Sequence, residues 1–186
     1  MSTMKEIVTG MATSLVTLAS GVAARKGFIP IPISSVRETD ATNEVGLLTH
    51  ATTPKLDLAN GDTNSELVIT WAAADVTPVM FQTPLPPDLD DTAAIEVHFR
   101  AKEGVATDHP VVSADTYFNE GDTKISDDSA AVTGTSYAEY TITISADDID
   151  AGAQTMSCEL TPGTHSTSNN TLIISAIWIE YTCVIA

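Results

Sequence analysis

Apolar and polar residues alternate with a period of two along much of the chain after residue 45. In residues 94–101, Ile95, Val97 and Phe99 fall on one side and Glu96, His98 and Arg100 on the other, as in a strand with one buried and one wet face. Tyr140, Ile142 and Ile144 alternate with Glu139, Thr141 and Thr143, and Met156, Cys158 and Leu160 with Thr155, Ser157 and Glu159. Residues 67–71, 79–83 and 111–118 are further strand candidates, separated by turn clusters at 60–62, 84–88, 120–122 and 162–163. About eight strands with no good helix between them predict an all-β fold, an antiparallel β-sandwich or jelly roll, over residues 45–186.

The last candidate strand breaks the pattern. Leu172, Ile174 and Trp178 occupy one parity, while Ile173, Ile177, Ile179 and Tyr181 occupy the other. A strand apolar on both faces needs a second cover, and a two-layer sandwich without helices has none to offer. The expectation is an oligomer interface through Ile173, Ile177, Ile179 and Tyr181.

The N-terminal part differs again. Met4, Val8, Met11, Leu15, Leu18 and Val22 recur at spacings of four and three, the seam of a short amphipathic helix opened by a Thr3/Glu6 capping box. Gly10 and three threonines weaken it, so it needs a partner surface. Then Phe28, Ile29, Pro30, Ile31, Pro32 and Ile33 form a stretch whose prolines cannot donate to a ladder, which reads as an extended arm or an edge strand. Lys5, Arg25, Lys26 and Arg37 against Glu6 give residues 1–37 a net charge of +3, which leaves −20 on the remainder of a chain at −17. This contrast predicts an attachment arm over residues 1–44, with Leu15, Leu18, Phe28, Ile29, Ile31 and Ile33 as its partner-binding residues; the competing expectation folds the arm back as the first strand of its own domain.

Charge and chemistry narrow the function classes. A net charge of −17 repels phosphate backbones and anionic lipid, so neither nucleic acid nor a membrane is an expected partner. Glu6 and the interrupting Thr and Ser residues argue against reading the N-terminus as a secretory signal. Cys158 and Cys183 form no CxxC pair and read as free thiols of a reducing compartment. His50, His98, His109 and His165 show no metal-ligand spacing, and neither a nucleophile motif nor a phosphate loop is present. No catalytic residue, metal site or cofactor is therefore expected. Asp88/Asp90/Asp91, Asp127/Asp128 and Asp147/Asp148/Asp150 are carboxylate clusters of the kind calcium uses, but residues 148–152 lack the rest of a calcium loop. Trp71 and Trp178 discriminate two readings: burial of both favours a scaffold, and an exposed aromatic groove beside carboxylates favours sugar recognition.

The stretches PLPPDLDD (84–91), YFNEGDTK (117–124), DDSAAVTG (127–134), IPIPI (29–33), TPGTH (161–165) and the terminal WIEY (178–181) together resemble small structural proteins of tailed bacteriophages, over most of the chain from Phe28. The resemblance implies a virion component: a head decoration (cement) protein with a homotrimeric jelly-roll knob, made in the host cytoplasm and bound to the major capsid protein on the capsid surface. It implies no enzyme activity and carries over no functional residue. The alternative is a carbohydrate- or receptor-binding module of a phage fibre or baseplate.

Overall fold

The computed structural model describes residues 25–39, 45–49, 54–59, 66–105, 108–119, 122–163 and 170–184. Their strands are β1 (Arg25–Ile31), β2 (Arg37–Thr39), β3 (Val45–Leu47), β4 (Lys55–Ala59), β5 (Glu66–Trp71), β6 (Val79–Pro84), β7 (Ile95–Glu103), β8 (Val112–Phe118), β9 (Ile125–Asp128), β10 (Ala138–Ile144), β11 (Thr155–Pro162) and β12 (Leu172–Cys183). They form two sheets. Sheet A runs β10-β7-β12-β5-β4, with β1 also on β12, and sheet B runs β3-β2-β6-β11-β8-β9. Every pairing is antiparallel, so the expected sandwich is the observed fold. No helix among the described residues is long and apolar enough to cross a membrane.

The alternating residues build the core as their parity predicts. Ile95, Val97 and Phe99 of β7, Ile142 and Ile144 of β10, and Met156, Cys158 and Leu160 of β11 are all buried between the sheets. Trp71 joins them, its indole N–H donating to the Thr77 carbonyl at 2.8 Å, which satisfies the polar end of a fully buried ring. Burial pushes the Cys158 thiol up to about 12, so it is an inert packing group. Cys183 is also a free thiol.

The two-sided apolar pattern of β12 has an internal solution. Pairing with β7 slips between Ile174 and Ala176, a β-bulge that leaves Ser175 without a partner in the ladder. One extra residue reverses the parity of everything after it. Leu172 and Ile174 before the bulge and Ile177, Ile179 and Tyr181 after it therefore all face the same core. The proposed interface set is corrected accordingly: Ile177, Ile179 and Tyr181 are interior residues of the chain's own sandwich, and Ile173 alone of the four lies on the outer face.

The arm is corrected in the same way. β1 pairs along its whole length with the C-terminal half of β12, a 3-10 turn at Ile33–Ser35 follows, and β2 enters sheet B beside β6. Residues 25–39 thus belong to the sandwich, so the division at residue 44/45 moves toward the N-terminus. Ile31 and Ile33 are buried, Ile29 is half-buried against the core, and only Phe28 is openly exposed, at 60%. The prolines fit because β1 is an edge strand. Gly27 makes room for this docking: a Cβ there would overlap the Tyr181 ring. The helical pattern of residues 2–22, with Leu15 and Leu18, lies outside the described residues.

Candidate functional site on the outer face of sheet A

The same alternation that fills the core sends a set of rings and charges to the outer face of sheet A. Four strands contribute side by side. Thr141 of β10 lies opposite His98 of β7, His98 opposite Trp178 of β12, and Trp178 opposite Pro30 of β1. In the neighbouring row Thr143, Glu96, Glu180 and Phe28 follow one another. Phe28 is thus a diagonal neighbour of Trp178, about 7–8 Å away and within reach of an aromatic side chain. The bulge is what puts Trp178 here, since without it the indole would point into the core.

Trp178 stacks on His98 with ring centroids 5.2 Å apart and an interplanar angle of 7°. Around the imidazole stand Glu139, 3.0 Å from Nδ1, Glu96, 3.3 Å from Nε2, and Glu180, 3.8 Å from Nε2. Lys26 pairs with the other oxygen of Glu180 at 3.0 Å. His98 lies on the polar side of its strand, as its parity predicts, yet it is only 7% exposed. Parity alone cannot show that a neighbouring strand places an indole over it.

Further along the face, Tyr137 precedes β10 and carries two cations over its ring, Arg100 at 4.7 Å and Lys102 at 4.6 Å from the centroid. Burial pushes the Tyr137 phenol up, Glu66 adds to this and Arg100 opposes it. Beside it opens a shallow cavity of about 190 Å³ lined by Asp57, Val68, Thr70, Lys102, Tyr137 and Ile173. Rings, cations and carboxylates therefore succeed one another across one sheet face.

The carboxylate clusters separate on folding. Asp88 meets the Tyr181 hydroxyl at 3.4 Å, and Asp91 accepts the Gly152 N–H at 3.2 Å. Asp127, Asp148 and Asp150 instead converge with Asp122 around a cavity of about 530 Å³ at the end of sheet B. Burial and a hydrogen bond to Asp150 raise the Asp122 carboxyl, and burial with the charges of Asp148 and Asp128 raises Asp127. The nearby Lys124 is engaged elsewhere, on Asp115 at 2.9 Å. Burial pushes Asp115 up, but hydrogen bonds from Ser126 and Lys124 and the Lys124 charge outweigh it and hold the carboxyl below its ordinary value. Asp147 and Asp148 lie in a short 3-10 turn, Ala146–Asp148, that Ser145 precedes without a side-chain cap bond.

Glu103 went unremarked in the sequence because it continues the inward parity of β7. Its carboxylate is fully buried, accepts the Gly134 N–H at 2.6 Å and the Asn170 amide at 3.3 Å, and meets His109 Nδ1 at 2.9 Å. It ties three loops together as a clamp. His50 and His165 lie outside the described residues.

No family model and no curated protein matches the chain. Among solved structures it is similar to a xylan-binding module, CBM15, at TM-score 0.54 and 12% identity, over 87% of this chain and 100% of that one. It is also similar to part of xylanase 10C from Cellvibrio japonicus, solved with xylopentaose, at TM-score 0.50 and 12% identity, over 85% of this chain and 29% of that one. At that identity the likeness is one of fold, and the fold is a jelly-roll β-sandwich.

Proposed function

We propose that this protein is a non-catalytic carbohydrate-binding sandwich whose binding surface is the outer face of sheet A. The observation that carries the reading is the position of Trp178, stacked outside the core between Phe28 and a set of carboxylates. The C–H face of a pyranose is apolar and packs on such rings, while its hydroxyls take carboxylates as acceptors and cations as donors. Tyr137, between Arg100 and Lys102, offers a second ring for an extended chain. The likeness in fold to a xylan-binding module supports the same reading. Of the contact set expected for a capsid partner, Ile31 and Ile33 are interior residues and Ile29 is half-buried, while Phe28 stays exposed.

The test is affinity electrophoresis and calorimetry against soluble xylan, mannan, galactan and an acidic polysaccharide. Trp178→Ala is expected to weaken the best ligand by about 10- to 30-fold, as an aromatic anchor does, and Tyr137→Ala by less. Binding unchanged in the double variant, or absent across the panel, would move the site off this face or refute the reading.

A further inference from the structure

The cluster beneath Trp178 has an order that recognition of a saccharide does not require. His98 has 9% side-chain exposure. Its Nδ1 faces the Glu139 carboxylate at 3.0 Å and the Thr141 hydroxyl at 3.2 Å. Because a carboxylate only accepts, Nδ1 carries a proton toward Glu139. Nε2 is buried and makes no hydrogen bond, although Glu96 Oε2 and Glu180 Oε2 stand 3.3 and 3.8 Å from it. Facing two anionic oxygens without a hydrogen bond, Nε2 is unfavourably placed unless it carries a proton itself or a metal cation lies between them.

We propose that Glu96, His98 and Glu180 form a binding site for a divalent transition-metal cation of the zinc class. One ligand atom from each of the three lies within 4.8 Å of the others. Metal–ligand bonds of zinc length at a tetrahedral angle put neighbouring donors about 3.3 Å apart, so the His98 to Glu96 distance already matches and Glu180 closes by a small side-chain movement. The donor set decides the class: calcium and magnesium take oxygen ligands, whereas an imidazole with two carboxylates suits zinc or cobalt.

Glu139 supplies the outer partner, holding Nδ1–H so that Nε2 is free to ligate. Lys26 occupies Oε1 of Glu180 and leaves Oε2 to the metal. Strand geometry builds the triad, since Glu96 and His98 are two apart on β7 and Glu180 lies opposite Glu96 on β12. Sequence spacing missed it because the third ligand comes from a distant strand whose parity the bulge reverses. The site is independent of whether a saccharide binds.

The experiment titrates zinc chloride, and cobalt chloride as a coloured probe, into the chelator-stripped full chain by calorimetry and visible absorption. A single equivalent is expected, with the intense visible bands of four-coordinate cobalt. Cobalt is also expected to quench Trp178 fluorescence, and Trp178→Phe should remove that quenching while keeping the equivalent. His98→Gln and Glu180→Gln should each lose the equivalent, and Glu139→Gln should weaken it by about 10- to 100-fold. Circular dichroism of each variant checks folding, and should His98→Gln fail to fold, the graded loss in Glu139→Gln and Glu180→Gln decides. The proposal is overturned if the wild-type chain binds no equivalent, or if Glu180→Gln and Glu139→Gln bind it with wild-type affinity. It is equally overturned if nitrogen NMR shows both His98 ring nitrogens protonated and unmoved by zinc.

Discussion

Two acidic clusters on one sandwich are built differently. Around His98, the carboxylates Glu96, Glu139 and Glu180 sit on neighbouring strands with an imidazole between them and Lys26 at the edge. At the end of sheet B, Asp122, Asp127, Asp148 and Asp150 meet around a cavity whose neighbouring cation, Lys124, is bound to Asp115. In the first cluster an imidazole and a lysine stand between the carboxylates. The second gathers like charges: Asp122 is raised by burial and by Asp150, and Asp127 by burial and the charges of Asp148 and Asp128. Number of acids therefore says little about a site, and what stands between them says much.

The largest expected effect comes from removing the group that separates the first cluster. His98→Ala leaves Glu96 and Glu180 facing each other and takes the stacking partner from Trp178. We expect a loss of about 2–3 kcal/mol, below that of a fully buried pair because Glu139 is more than half exposed. In chelator this should lower the thermal midpoint by roughly 5–10 °C. A midpoint within a degree of wild type would show that the carboxylates do not depend on the imidazole, and the comparison would fail.

The next effect acts through the strand that carries Lys26. Gly27→Ala drives a methyl group into the Tyr181 ring, so β1 must part from β12 or the ring must move. Overpacking of this kind costs about 1–2 kcal/mol, and release of β1 would also withdraw Lys26 from Glu180. Amide exchange along residues 25–31 is the direct measure. Protection unchanged there would mean that β12 holds β1 without that contact.

How far the sequence carries a reader differs by level. Strict alternation in β7, β10 and β11 identifies the sandwich and its inner residues, because period two is a property of the backbone. β12 defeats that reasoning: one unpaired Ser175 converts an ordinary strand into an apparent two-sided one, and no local composition announces a bulge. Residues 29–33 defeat it too, since prolines fit an arm and an edge strand equally, and only Tyr181, far along the chain, decides between them. The outer face was half legible. His98 and Glu96 are two apart and visibly polar, but Trp178, Glu180 and Lys26 join them only through strand order, which depends on long-range pairing. Four scattered aspartates around one cavity are likewise a product of topology.

The smallest expected effect belongs to the second cluster and has the opposite sign. In the folded chain the Asp127 carboxyl is raised by burial and by Asp148 and Asp128, so between its ordinary value and the raised one the folded state holds more protons than the unfolded state. Stability contributed by Asp127 is therefore present at low pH and declines as pH rises through that window. Asp127→Asn removes the penalty above it. We expect this variant to melt about 1–2 °C higher than wild type at neutral pH, with the gain shrinking as the pH falls to where Asp127 is protonated in the wild-type chain. Salt should reduce the gain as well, because the repulsion is partly exposed and screened. The same exchange at Glu96, in chelator, should give a smaller gain, since an imidazole adjoins both that carboxylate and Glu180 opposite it. If Asp127→Asn melts lower than wild type at neutral pH, the cavity carboxylates attract rather than repel, and the contrast between the two clusters would have to be drawn on other grounds.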